Sequence, residues 1–348
     1  MPTAKQLIAD PIAQYPRATV ACFDPTTGDL PRRRLDQERL TVFLERLAAA
    51  GAPAVLIAAS TGHGHLRTVD ELAEWFVAAA KANMPSCLKT ALLRPEDGEE
   101  ANARLVGVLA EHDYRVVYVR PGTNLPKGAT DDAVAGNMQP LVSQIASAGL
   151  AVGLYSIPDV SGVAMSAEAA AKLVAGPAGK RIVAIKVTEA DYDRSTRTFL
   201  EHPRLSGLKI VQGWDPHLAR ALKDGGQRMG VTSGPMSFAV FQYLHLLDAA
   251  KQGDWAEVAA AQEAVSILFR AMQDDLGTFA DLQRAKYIMG LGQPLTAEVR
   301  LDQVERVMNA LESLPRSDDR HRLAMSLDLL GDGPMHARLK NLIDEASL

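Results

Sequence analysis

Cysteine is nearly absent from this 348-residue chain, which carries two, Cys22 and Cys87. Both lie in apolar, strand-like runs, so they read as buried structural thiols, and no disulfide framework is available. Long apolar runs are missing too. Nowhere do about 18 uncharged apolar residues follow one another, the length a membrane helix needs. The N-terminal stretch MPTAKQLIADPIAQYPRATVACF lacks the continuous apolar core of a secretion signal, so a cytoplasmic protein without a membrane partner is expected. Nor is positive charge in excess: 37 Lys and Arg stand against 42 Asp and Glu, a net charge of −5. A general nucleic-acid or anionic-membrane binder needs a basic footprint, so neither partner is expected. A small anionic substrate held locally stays open.

What the chain has is alternation. Short apolar runs at 18–23, 54–60, 86–93, 115–121, 151–158, 182–188, 208–214 and 228–234 read as strands. Segments with helical spacing fall between and after them, at 36–51, 69–83, 99–112, 131–149, 166–176, 193–202, 215–224 and 237–252. Thr68 and Glu71 form a capping box, Asp193 and Asp215 are candidate N-caps, and Gly51 and Gly149 stand where helices end. Strand and helix repeated eight times over about 235 residues is the arithmetic of an α/β (β/α)8 TIM barrel. A doubly wound sheet competes, but it usually has a glycine-rich phosphate turn after its first strand, and CFDPTTGDLP is a poor one. From about residue 254 the strands stop and helices continue, which divides the chain into a barrel over 1–253 and a C-terminal helical domain over 254–348. The apolar stripes of that domain need a partner, either the barrel or another subunit.

One residue breaks the pattern. RIVAIKVTEAD, residues 181–191, sets Lys186 inside an aliphatic strand. Side chains alternate along a strand, so Ala184, Lys186 and Thr188 share one face and Val183, Ile185 and Val187 the other. The aliphatic face suits the helix-covered exterior, which turns Lys186 into the barrel near the C-terminal strand ends where such barrels work. Burial penalises the ammonium form by roughly 4 kcal/mol if the amine is to titrate near neutrality, and the neutral amine is a nucleophile toward ketones. A snorkelling or carboxylate-paired structural lysine fits the same pattern. Tyr155 shares the inward face of strand five with Ala151 and Gly153 and reads either as a proton relay or as a core tyrosine. Ser60 and Thr61 stand on the turn ASTGHGH, which would suit a carboxylate and is also simply a turn.

Together these residues resemble the dihydrodipicolinate synthase and N-acetylneuraminate lyase superfamily of class I aldolases. YSIPDVSG (155–162) is similar to its Y-N-x-P-x-x-[ST]-G motif, IVAIKV to its Schiff-base strand, and STG (60–62) to its carboxylate turn. The resemblance implies that Lys186 forms an imine with pyruvate or a related 2-oxo acid, that Tyr155 relays protons, and that Ser60 and Thr61 bind the carboxylate. It implies retro-aldol cleavage or condensation without a cofactor or metal, in a homo-oligomer, a dimer or a tetramer. Val160 stands where synthases of the lysine pathway carry arginine, which argues against dihydrodipicolinate synthesis. Thr188, Gly213, Asp215 and Ser233 match the lyase branch and would suit the hydroxyls of a 3-deoxy sugar acid. Pro216 replaces that branch's glutamate, His63 replaces the glutamate of the strand-two turn, and Gly122 with Thr123 replaces a tyrosine pair, leaving the Thr123 hydroxyl or a water as the substitute.

Three rival readings follow from the same residues. His63 and His65, two apart, invite a metal-dependent aldolase. The missing tyrosine pair would suit a non-catalytic barrel that binds a 2-oxo acid. Dehydration of a 2-oxo-3-deoxy sugar acid would use the same imine with a different leaving group.

Overall fold

Eight aliphatic runs form strands, and the strands close into a ring. In the computed structural model, which describes residues 1–27, 33–273, 279, 282–293 and 299–345, these are β1 Ala18–Ala21, β2 Ala54–Ile57, β3 Leu88–Leu93, β4 Val116–Val119, β5 Ala151–Ser156, β6 Ile182–Val187, β7 Lys209–Gln212 and β8 Met229–Ser233. Each pairs in parallel with its neighbours in sequence, and β8 returns to β1 through Ala18 opposite Val231. Parallel strands need long crossovers, and helices supply them: α1 Gln37–Ala49, α2 Val69–Ala80, α3 Glu99–Glu111, α4 Asp131–Ser147, α5 Ala167–Ala175, α6 Thr196–Glu201 and α7 Leu218–Gly225, with α8 Val240–Gln252 after the last strand. The protein is a (β/α)8 barrel.

Local chemistry sets the helix starts. The Thr68 hydroxyl accepts from the Glu71 amide and the Glu71 carboxylate accepts from the Thr68 amide, completing the expected capping box. Gly51 and Gly149 take the left-handed backbone (φ 99° and 82°) at helix ends, which costs glycine little. The two aspartate caps are corrections. Asp193 faces Arg220 and Arg197 instead, and Asp215 turns into the barrel mouth, where it accepts from the Ser233 and Tyr243 hydroxyls.

Inside the ring, Leu56, Leu88, Val116, Tyr118, Ala184 and Val211 form a dry core. Gly153 lets Tyr118 lie across β5, since a Cβ there would come within 2.4 Å of the ring. The N-terminal segment closes the barrel floor: Leu7 and Tyr15 join the same core, and the Tyr15 and Tyr118 hydroxyls meet. Lys209, also buried, donates to the carbonyls of Ile12 (2.6 Å) and Gln227 (2.7 Å) at that end. The expected alternation along β6 needs one correction. The pairing with β5 slips between Val152 and Gly153, leaving Val183 as an extra residue, and Val183 packs inward beside Ala184 rather than outward.

Helices α9 Trp255–Met272, α10 Gln283–Ile288, α11 Leu301–Glu312, α12 Ser317–Leu327 and α13 His336–Glu345 follow. The stripe Val258, Ala261, Val265 and Leu268 on α9 is buried, and α9 packs against α8. A buried charge cluster ties α10 to the strand ends: Lys286 Nζ donates to Asp24 Oδ1 (3.0 Å) and Thr26 Oγ1 (2.8 Å), and Arg67 also pairs with Asp24. No described helix is long and apolar enough to cross a membrane.

Candidate active site

Strand register brings the reactive groups together. Lys186 lies opposite Tyr155 on β5 and Val211 on β7. It is 4% exposed, and its Nζ sits 4.3 Å from the centre of the Tyr155 ring. Burial lowers the amine from its ordinary value to about 7, opposed by the negative charge of Asp215. Among the described residues no carboxylate forms an ion pair with it. Gly213, at the end of β7, makes room: a Cβ there would stand 2.1 Å from Thr188 Oγ1 and 2.9 Å from Lys186 Cε.

Two hydroxyl arrangements flank the amine. Tyr155 Oη and Thr188 Oγ1 are 3.1 Å apart, and burial raises the phenol well above its ordinary value, so it holds its proton. On the other side Ser233 Oγ donates to Asp215 Oδ1 (2.5 Å), as does the Tyr243 hydroxyl, the two hydroxyls lying 2.9 Å apart. Burial raises the Asp215 carboxyl, with those two hydrogen bonds and Lys186 working against it.

Ser60 and Thr61 occupy a 3₁₀ turn, Ser60–Gly62, at the end of β2. The turn is tight enough to force left-handed backbone on Ala58 (φ 62°) and His63 (φ 56°), and a Cβ on Gly64 would fall 1.9 Å from the Ala58 carbonyl oxygen. The leading amides of such a turn have no acceptor within it. Ser60 Oγ is buried without a hydrogen-bond partner among the described residues. Gln283 Nε2 donates to the Thr61 carbonyl from α10.

A cavity of about 790 Å³ joins these parts, with Ser60, Thr61, Tyr155, Lys186, Thr188, Gly213 and Asp215 on its wall. Two residues expected from sequence stand elsewhere. Ser233 is behind the wall, holding Asp215. Thr123 is exposed in the loop after β4 and does not line the cavity, because the Gly122 amide is bonded to Asn137 (2.8 Å) and the chain turns away. Tyr243, Trp214 and the α9 residues Val265 and Phe269 also form the wall and were not anticipated; a helical stripe shows that a face is buried but not which neighbour it meets. His63 and His65 lie ring to ring at 5.8 Å, and burial, then Arg120 and Arg94, lowers His65 to about 4. Among the described residues no group of three or more His, Cys, Asp or Glu converges as a metal-ligand set.

The sequence model of the dihydrodipicolinate synthetase family matches residues 135–312. The chain belongs to this family. That span contains Tyr155, Lys186, Thr188, Gly213, Asp215 and Ser233. Structures of similar fold include dihydrodipicolinate synthase from Aquifex aeolicus (19% identity, TM-score 0.73, covering 86% of this chain and 99% of that one). Another is a variant of 2-keto-3-deoxygluconate aldolase from Sulfolobus solfataricus (16%, TM-score 0.71, 85% and 95%). A third is dihydrodipicolinate synthase from Bacillus anthracis (17%, TM-score 0.71, 87% and 99%). A comparison with curated protein sequences finds no significant match. For a chain of the dihydrodipicolinate synthetase family, lyase and aldolase chemistry is the family-level activity.

Proposed function

We propose that the protein is a Schiff-base-dependent carbon–carbon lyase, cleaving a 4-hydroxy-2-oxo acid to pyruvate and an aldehyde or running the condensation in reverse. The observation that carries this reading is Lys186: a buried amine, lowered to about 7, on a cavity wall without an ion-pair partner among the described residues. The neutral amine attacks C2, water leaves, and a protonated imine forms. Loss of the C4 hydroxyl proton then breaks the C3–C4 bond, the electron pair passes into the imine as an enamine, and the aldehyde departs. Protonation at C3 and hydrolysis release pyruvate.

Around this centre, Ser60 and Thr61 hold the carboxylate through hydroxyls and turn amides. Tyr155, aligned by Thr188, gives its proton to the C2 oxygen as that oxygen leaves as water, and the phenolate so formed takes the C4 hydroxyl proton. Asp215 faces the amine and stabilises its cationic states.

Borohydride treatment in the presence of pyruvate tests the proposal. A reduced pyruvyl adduct is expected on the peptide containing Lys186, and Lys186→Met abolishes it. An adduct on another lysine, or none in the folded wild-type protein, overturns the mechanism.

A further inference from the structure

The cavity is far larger than pyruvate needs, and its outer part differs in character from the reactive end. The hydroxyls flanking the amine on β5, just after β6 and on β8 are already engaged. The Thr188 hydroxyl lies 3.1 Å from that of Tyr155, and the Ser233 and Tyr243 hydroxyls both turn to Asp215. Trp214, Leu218, Leu246, Val265 and Phe269 line the cavity as well. Among the described residues most of the polar side chains between them serve the protein itself, and Asp159 and Gln273, both exposed, stand at the cavity's solvent edge. Gln262 accepts from the Ala219 amide (2.8 Å) and donates to the Pro216 carbonyl (3.4 Å), and Ser266 donates to the Gln262 carbonyl (2.9 Å). Arg270 pairs with Glu263 (2.6 Å) at the rim, where both side chains are more than half exposed.

A polyol seated here would give up water for few replacement hydrogen bonds, whereas an apolar group would gain by leaving water. Resting on the Schiff-base reading above, we infer that the second substrate is an apolar aldehyde, aryl or branched alkyl, and not a polyhydroxylated one. In the condensation, C3 of the enamine attacks the aldehyde carbon and the C3–C4 bond forms. The aldehyde oxygen takes a proton, and hydrolysis of the imine releases a 4-hydroxy-2-oxo acid whose apolar tail lies against Phe269 and Val265.

Aldol addition of pyruvate to benzaldehyde, 3-methylbutanal, D-glyceraldehyde and D-erythrose tests this, with products measured by mass spectrometry. A kcat/KM at least tenfold higher for the first two is expected, and F269N should reduce the benzaldehyde-to-glyceraldehyde ratio at least tenfold. Misfolding lowers both rates together and leaves that ratio unchanged. Equal or faster addition to the sugar aldehydes, or an unchanged ratio in an active F269N, overturns the inference. If borohydride traps no pyruvate adduct, the Schiff-base reading fails on its own, and saturation-transfer NMR with benzyl alcohol and erythritol, neither able to form an imine, still reads the outer wall. Contact to benzyl alcohol that is lost in F269N supports the apolar wall; binding of erythritol alone overturns it.

Discussion

At the residue scale, one amine carries the chemistry, and its titration is the sharpest consequence. Burial places the Lys186 amine at about 7, below the ordinary lysine value. The folded protein therefore releases this proton more readily than the unfolded chain does, and acid pH restores the charged, unreactive form. Trapping by pyruvate and borohydride, once corrected for the reagent's own pH dependence, should level off above about pH 8. It should fall about tenfold between pH 8 and pH 6, the drop in neutral amine for a group titrating near 7. A rate still climbing through pH 9 and 10 would show an ordinary, solvated lysine. Lys186 was legible in the sequence because a charge in an aliphatic strand has few explanations. Asp215 was legible as part of the site, but at the start of a helical segment it also read as a cap, and nothing in the local sequence announces the Tyr243 hydroxyl that claims it.

At the scale of elements, the carboxylate turn is shaped by contacts from far along the chain. Gly234, just past β8, lies so close that a Cβ would stand 2.5 Å from Thr61 Oγ1 and 3.2 Å from Leu282. Gly234→Ala should push the turn aside and raise KM for the 2-oxo acid roughly tenfold, about 1.4 kcal/mol, with a smaller change in kcat; steady-state kinetics over a pyruvate series reads the split. An unchanged KM would mean that the turn does not bind the substrate carboxylate. The eight strands and the Thr68 box were readable because period and caps are local properties. The inward turn of Val183 was not, since it depends on a slip in pairing with β5 that only the assembled sheet reveals. The same holds for α9, whose apolar stripe was visible while its place on the cavity wall was not.

At the scale of the molecule, the C-terminal helices and the barrel are joined by charge as well as by packing. Lys286 and Asp24 are both fully buried, and burial pushes the Asp24 carboxyl up while Lys286 and Arg67 overcome that, leaving it below its ordinary value. Lys286→Met removes one partner and leaves the other poorly compensated, a change that typically costs about 3–5 kcal/mol. Urea denaturation should show that loss, and a variant as stable as the wild type would reduce the cluster to an incidental contact. No sequence pattern flagged this pair, because its members lie 262 positions apart and neither stands in a motif.

The pairing of β1 with β8 has a consequence during synthesis. A ribosome delivers Ala18 long before Val231, its partner in the ring, so for most of translation the growing sheet is an open arc with two unpaired margins. Leu7 and Tyr15 meanwhile lack the finished interior they will later seal. Contacts this distant in sequence form slowly, and unprotected strand margins invite association with other chains. Chaperone demand should therefore be greatest on nascent chains that stop short of β8.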